Sequence, residues 1–454
     1  MATLSDVNKQ TKVKLITNMT TGTPALKNEW KSLVSLLKTV LVDGYNSKVP
    51  TGVESHQGDI KKIKFAAGHG YVTGQVIRCT AGGSNKEYRV LDSDAEYVYI
   101  HEPSSISKPD TVIGAPLGFS LAYDDISNTG VACFKNASTK SPAILKVIDN
   151  LPPNGYTTTW AKFARVVCGK AIDSSGNFVG NQKVPFMVGV ENPELTGDGV
   201  SGASGIHGWL KWYYALRRDA GYSGGEGFFP DGVYPTEWII VGDNNTFYLF
   251  IRAMGAMYGA YNIYSFGAYT SNNPQDTTNI QITGCDYYTP ASYQSSSMNT
   301  GSSTASNVGS KTSSAFNLGY ATQHYFSGNY LLGDVGGQLV PEFKFCTFGV
   351  NHSTTSDDNI RWPQWADQYT NAFGPTGNIF TCPLYMKASN GYIRGVSRGV
   401  LYPVASGAIS SLTYLDNFRG VVLNHKKTFR TSFTFGTDLS EVPLLFSLED
   451  WSEV

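Results

Sequence analysis

Residues 23–50, TPALKNEWKSLVSLLKTVLVDGYNSKVP, carry the clearest helical pattern in the chain. Thr23 followed by Pro24 predicts an N-cap with proline at the first helical position, where a missing N–H is harmless. Trp30, Leu33, Val34, Leu37, Val40 and Leu41 then recur at the three-and-four spacing of an amphipathic helix. Asp43-Gly44 predicts its end, because glycine adopts the left-handed conformation that closes a helix. A single helix with one apolar face must lie on a sheet or on a neighbouring subunit. The reading of this stretch therefore implies a sheet-built protein around it.

The flanks agree. Upstream, residues 1–23 are polar, Thr-rich and weakly alternating at Val13 and Leu15. They predict an extended arm of a kind that becomes ordered against a partner. Downstream, IKKIKF, YVTGQVIRC, EYRVLD and EYVYIH alternate or run apolar between glycine-rich turns, as do GFSLAY, GVACF, AILKVI and ARVVCGKAI. Strands at this density, without helices between them, imply antiparallel sandwiches or barrels. Residues 195–208 (LTGDGVSGASGIHG) read as a link between two units. WLKWYYALRR at 209–218 reads as a short helix. Trp238-Ile239-Ile240-Val241, the turn residues Gly242-Asp243-Asn244-Asn245, and the run 246–251 form the strongest hairpin signal. Residues 289–314 are nearly all Ser, Thr, Asn and Gly and predict an exposed loop. The last third returns to strands.

The expectation is a mainly β, multi-domain protein of antiparallel sandwich or barrel units with one N-terminal amphipathic helix. Its parts are an arm and helix at 1–50, β-rich structure at 51–195, and a second β-rich region at 196–454. At 454 residues the chain is long enough for more than one core.

Composition narrows the function. Lys plus Arg is 35 and Asp plus Glu is 36, so there is no basic excess of the sort that holds nucleic acid. Charged residues are 16%, below the roughly 25% usual in soluble domains, and aromatics are 13%. Low charge with many Tyr, Gly, Ser and Asn suits a surface made to be covered or to bind. No apolar run approaches the ~20 residues of a membrane span, and the first residues have no signal-peptide core. Synthesis in a cytoplasm, with release by a route such as lysis, is expected. The cysteines at 79, 133, 168, 285, 346 and 382 fit neither a zinc knuckle nor a redox pair, and are expected to be buried thiols.

Catalytic patterns are weak. Two G-x-S-x-G strings, at 221–225 and 395–399, lack the strand-to-helix context of a nucleophile elbow. Gly-rich loops at 68–74 and 197–208 lack the Gly-Lys-Ser/Thr ending of a phosphate loop. His352 beside Asp357 and Asp358 is the nearest approach to a metal cluster, and a solvated loop explains it as well. The two aspartates also point to opposite faces if they lie on a strand, so they cannot flank one glycosidic bond. Trp209, Trp212, Tyr213 and Tyr214, with Trp362, Trp365 and Tyr369, could stack on sugars. Core packing or a subunit interface is the reading adopted for them. No cofactor and no metal are expected.

Several segments resemble a family of tailed-bacteriophage virion structural proteins. They are Trp30-x2-Leu33-x3-Leu37-x3-Leu41-Val42-Asp43-Gly44-Tyr45 followed by Ser47-Lys48-Val49-Pro50; Trp238 to Asp243 leading into Thr246-Phe247-Tyr248-Leu249; Ile393-Arg394-Gly395-Val396 through Leu401-Tyr402-Pro403; and Val442-Pro443-Leu444-Leu445-Phe446. The resemblance implies a structural part of a phage tail, sheath-like around the tube or close to the baseplate, with no catalytic residues. It implies a virion location and assembly as a homo-oligomer with tube, baseplate or appendage proteins, and contact with a host receptor is an added expectation. Membrane insertion and nucleic-acid binding are not expected. The interface candidates are Trp30, Leu33, Leu37, Leu41, Tyr45, Trp209, Trp212 and Tyr213. The alternatives are a receptor- or glycan-binding tail protein and, last, a polysaccharide depolymerase.

Overall fold

The computed structural model describes residues 10–151, 162–179, 183–184, 210–215, 236–252, 262–273, 279–285, 327–335, 338–339, 343–346, 381–388, 393–403, 414–415, 419–426 and 441–451. The fold is mainly β and its paired strands run antiparallel. The predicted helix is present and short. Helix α1 spans Ser32–Lys38 and continues as a π turn over Thr39–Asp43. Gly44, at φ 83°, ends it as expected, its N–H donating to Thr39 O at 2.8 Å. The wide last turn leaves the Val40 and Leu41 carbonyls to accept N–H bonds from Leu117, Gly118 and Phe119. Groups that a helix end would otherwise leave open are thereby satisfied by the returning chain.

The start of the helix differs from expectation. Thr23 does not cap it: its hydroxyl donates to the carbonyls of Thr17 and Thr20. The chain between stays irregular because Leu26 is drawn into the core, bridging to Thr236. Six residues of the helical stretch, Leu33, Val34, Leu36, Leu37, Val40 and Leu41, are fully buried. Within α1 only Ser35 is exposed.

A large sheet shares its core with this element. Its main path runs Lys14–Thr17, Glu237–Gly242, Thr246–Arg252, Asn262–Ala268, Asn279–Cys285, Leu210–Ala215, Lys162–Gly169, Ile144–Ile148, Val131–Lys135, Ser120–Asp125. Residues two apart along these strands face one core: Phe134, Leu145 with Val147, Ala164 with Val166, Trp212 with Tyr214, Trp238 with Ile240, Phe247 with Leu249, Tyr264 with Phe266, Ile280 with Ile282. All pack with the helix residues in a single cluster. The N-terminal segment, expected to need a partner, finds one within its own chain: Lys14 to Thr17 pair with Gly242 to Ile239. The expected helix at 209–218 is replaced by the strand Leu210–Ala215. Trp212 and Tyr214 face the core at a spacing of two, which a strand and not a helix provides. Strands on both sides of residue 195 share this sheet, Phe163 pairing with Tyr213.

Between the helix and strand Ser120–Asp125 the chain makes a second unit. Its seven strands lie in the order Tyr45–Lys48, Thr111–Gly114, Val76–Ala81, Ser84–Ser93, Tyr97–His101, Ile60–Lys64, Gly52–Ser55. It has its own core of Ile63, Phe65, Tyr71, Ile77, Cys79, Tyr88, Val90, Val98, Ile100 and Val112. Entry and exit are adjacent, Tyr45 pairing with Gly114. A Cβ on Gly114 would stand 2.2 Å from the Tyr45 ring, so only glycine admits the close approach.

A third sheet, Phe343–Cys346, Thr381–Ala388, Ile393–Pro403, Glu441–Ser447, Gly420–Lys426, Tyr414–Leu415, contains the last part of the chain. It packs on the outer face of the 237–252 hairpin, with Phe446 5.1 Å from the Tyr248 ring and 5.5 Å from Phe250. Burial on both faces explains the unbroken apolar runs of that hairpin.

Candidate functional site

Two buried polar junctions and one half-buried face carry the chemistry of the described residues. The first junction is at the start of α1. Lys31 precedes the helix with φ 71°, a left-handed conformation unusual for a side-chain-bearing residue. Its N–H donates to Asp149 O at 3.0 Å. Asp149, just past strand Ile144–Ile148, is fully buried, and its Oδ2 accepts the N–H groups of Leu33 and Val34 at 2.8 and 3.1 Å. The cap that Thr23 was expected to supply thus comes from a distant part of the chain. Tyr214 Oη lies 2.7 Å from Asp149 Oδ1 and 2.9 Å from Glu29 O. Burial pushes the Asp149 carboxyl up to about 6, against the pull of these donors.

The second junction joins the hairpin turn to the third sheet. Asp243 Oδ1 accepts the N–H groups of Asn245 and Thr246, which shapes the turn. Arg398 then grips the same carboxylate in bidentate fashion, Nη1 to Oδ1 at 3.1 Å and Nη2 to Oδ2 at 2.8 Å. Both side chains are almost wholly buried. Tyr248 donates to Arg398 O, and the guanidinium lies over the Trp451 ring at 5.7 Å. The charges neutralise each other away from solvent, so the pair serves as a fastener.

The N-terminal segment is fastened in the same manner. Arg89 donates to the carbonyls of Gln10, Val13 and Gly74, and Lys14 pairs with Glu87 at 2.9 Å. Lys12 N donates to Asp450, near the other end of the chain.

These placements revise the interface candidates. Leu33, Leu37, Leu41 and Trp212 are fully buried in the chain's own core, and Tyr45 is 5% exposed, so none of the five offers surface to a neighbour. The physical reason is that the inward residues of the large sheet pack with these side chains in one core. Trp212 stacks on Tyr264 at 5.6 Å. Trp30 is half-buried, edge-on to Phe163, with the Lys162 ammonium over its ring. Tyr213 sits on strand Leu210–Ala215, and Trp209 lies outside the described residues.

The half-buried face belongs to the inserted unit. Lys62 pairs across the strands with Tyr99, and Lys64 with Tyr97. Both ammoniums sit over the Tyr97 ring, at 4.5 and 5.5 Å, and His56 meets Tyr99 edge-on at 5.1 Å. Glu54 binds Lys62 at 2.9 Å, and Tyr99 donates to Asp94. The hydrogen bond to Glu54 raises the Lys62 ammonium above its ordinary value, and partial burial followed by the bond to Asp94 raises the Tyr99 phenol. This face was legible in the alternation of IKKIKF and EYVYIH, whose outward residues are these four. Asp149 and Arg398 had no such signal.

Ser397 of the second G-x-S-x-G string lies inside strand Ile393–Pro403, buried, 3.4 Å from Gln281 Oε1, and not at a turn into a helix. His69 in the first Gly-rich loop is committed at both nitrogens: Nε2 faces Asp94 O, and Nδ1 accepts the Tyr71 N–H. Cys79, Cys133 and Cys168 are free and buried, and burial pushes the Cys79 thiol up to about 12, far from a reactive thiolate. Among the described residues no group of three His, Cys, Asp or Glu is placed to hold a metal, and no helix is long and apolar enough to cross a membrane. The string at 221–225, the loop at 197–208, the run at 289–314, His352 with its aspartates, and Trp362, Trp365 and Tyr369 lie outside the described residues. Compared with known proteins, the chain matches no family model, and no curated protein matches it.

Proposed function

We propose that this chain is a structural subunit of a bacteriophage tail, sheath-like or in the outer tail, that assembles as a symmetric homo-oligomer around the tail tube. One observation carries the reading. The segments that resemble tailed-phage virion proteins are the ones that pack together into the frame. The helix residues share a core with Trp238, Ile240, Phe247 and Leu249. Strand Ile393–Pro403 pairs with Glu441–Ser447 through Val400 and Leu401, and Arg398 binds that frame to Asp243. With its aromatic core satisfied internally, each subunit would meet its neighbours as a preformed body through polar, low-charge surfaces. Tube, baseplate or appendage proteins are the partners proposed. Negative-stain microscopy of the purified protein is expected to show closed rings or stacked assemblies. Isolated single particles at every concentration, with no binding to tail-tube proteins, would overturn the proposal.

The Tyr97–Tyr99 face favours a second reading, a receptor- or glycan-binding tail protein. Tyrosine rings on a half-buried sheet face can stack on sugars, and the flanking lysines can hold acidic substituents. Binding to host surface polysaccharide that drops tenfold or more in Tyr99→Ala would support it. Equal binding, or none by the unaltered protein, would retire it.

A further inference from the structure

The inserted unit and the large sheet keep separate cores. The chain enters and leaves the unit through one antiparallel crossing, Tyr45 opposite Gly114. Gly44, at φ 83°, stands before the crossing and Gly118, at φ 99°, after it. Glycines on both sides of a two-strand crossing make a pivot, because they accept backbone conformations that other residues avoid. Tyr45 packs into the helix core from this pivot and holds the unit at that point.

Away from the pivot, the hydrogen bonds and ion pairs that join the unit to other described residues end on residues 10–14. Arg89, on strand Ser84–Ser93 and buried, donates Nε to Gln10 O and Nη2 to Val13 O, while Nη1 bonds Gly74 O within its own unit. On the same strand, Glu87 takes the Lys14 ammonium on one oxygen and the Arg78 guanidinium on the other. Lys14 is in turn paired with Gly242 of the large sheet. Gln10 Oε1 accepts the Asp450 N–H, and Lys12 N–H donates to Asp450 Oδ1. Slightly further along, a Cβ on Gly70 would stand 2.6 Å from Thr21, and one on Gly22 would stand 2.6 Å from Asn46. Residues 10–22 therefore meet the unit, the large sheet and a residue 440 positions away. Arg89 and Lys14 are buried in these contacts, and a charge taken out of water depends on the partners supplied to it.

We propose that residues 10–22 are a strap that seats the inserted unit, and that lifting the strap frees the unit to swing as one body on the Tyr45–Gly114 pivot. Strand Lys14–Thr17 is suited to lift. It is the edge strand of the large sheet, next to Glu237–Gly242, so its opening breaks one ladder and leaves the others paired. Burial of Val13 and Ile16, with the bonds from Arg89 and Glu87, holds the seated state. The swing carries the Tyr97–Tyr99 face with the unit, since that face lies on strand Tyr97–His101.

Spin labels attached at Ser84 in the unit and Ser127 in the frame, both exposed, read the swing in the full chain as a distribution of distances. The protein with its strap intact should give one narrow distance. Arg89→Ala removes two bonds to the strap, and Lys14→Met removes the ion pair while keeping an apolar stem in the buried place. Each variant is expected to broaden the distribution, with the amides of the unit's own strands as protected from hydrogen exchange as before. A narrow distance kept in both variants would overturn the strap. Broadening that comes only with loss of that protection would overturn it too, because the segment would then be part of the unit's core.

Discussion

Leu37→Asp is expected to abolish the cooperative thermal transition of the protein. Leu37 is fully buried on α1 and packs in the core shared by the helix and the large sheet. Removing the leucine side chain alone costs about 2–5 kcal/mol, through lost transfer energy and the cavity left behind. Placing a carboxylate in that apolar core adds several kcal/mol more. Together these match the 5–15 kcal/mol that usually separates a folded domain from its unfolded state. Leu37→Met, which keeps volume and polarity, should cost less than about 1.5 kcal/mol. Circular dichroism melts of the two variants beside the parent check this. A normal transition in Leu37→Asp would mean that the helix is not a core element.

Arg398→Ala is expected to destabilise the junction between the hairpin and the third sheet by about 3–5 kcal/mol, the usual cost of stranding one partner of a buried pair. Asp243 keeps its bonds from Asn245 and Thr246 N–H, so the turn survives while its charge is left uncompensated. Arg398→Lys should recover only part of the loss, because one ammonium cannot reproduce two parallel N–H bonds to the two carboxylate oxygens. The double variant Asp243→Ala/Arg398→Ala should be more stable than the sum of the singles predicts. Denaturant midpoints across this cycle measure the coupling. Additive losses would show that the two residues do not depend on each other.

What sequence could and could not announce follows from the range of the interactions. The hairpin at 237–252 was legible because its signal is local: two apolar runs, with Asp243 turning the chain between them. The stop at Gly44 is likewise written in one residue's conformational freedom. The start of α1 was not, because its cap, Asp149, lies 116 residues from Leu33. Arg398 and Asp243 are 155 residues apart, and neither position advertises burial. Residues 209–218 misled because Trp212, Tyr213 and Tyr214 suit either period, and only the strand Lys162–Gly169 beside them decides for a strand. Among the candidate site residues, apolar character was legible, and the choice left open between a core and a subunit contact was not. Leu33, Leu37, Leu41 and Trp212 were candidates for a core or a contact between subunits, and within this chain they pack in one core with the large sheet.

The most direct measurement for the proposed role is the mass of the full-length protein in solution across a range of concentrations, by sedimentation velocity or light scattering. A chain of 49.3 kDa that builds a symmetric tail structure should sediment as a discrete multiple of that mass. A single species at 49.3 kDa, unchanged up to high concentration and in the presence of tail-tube protein, would contradict it.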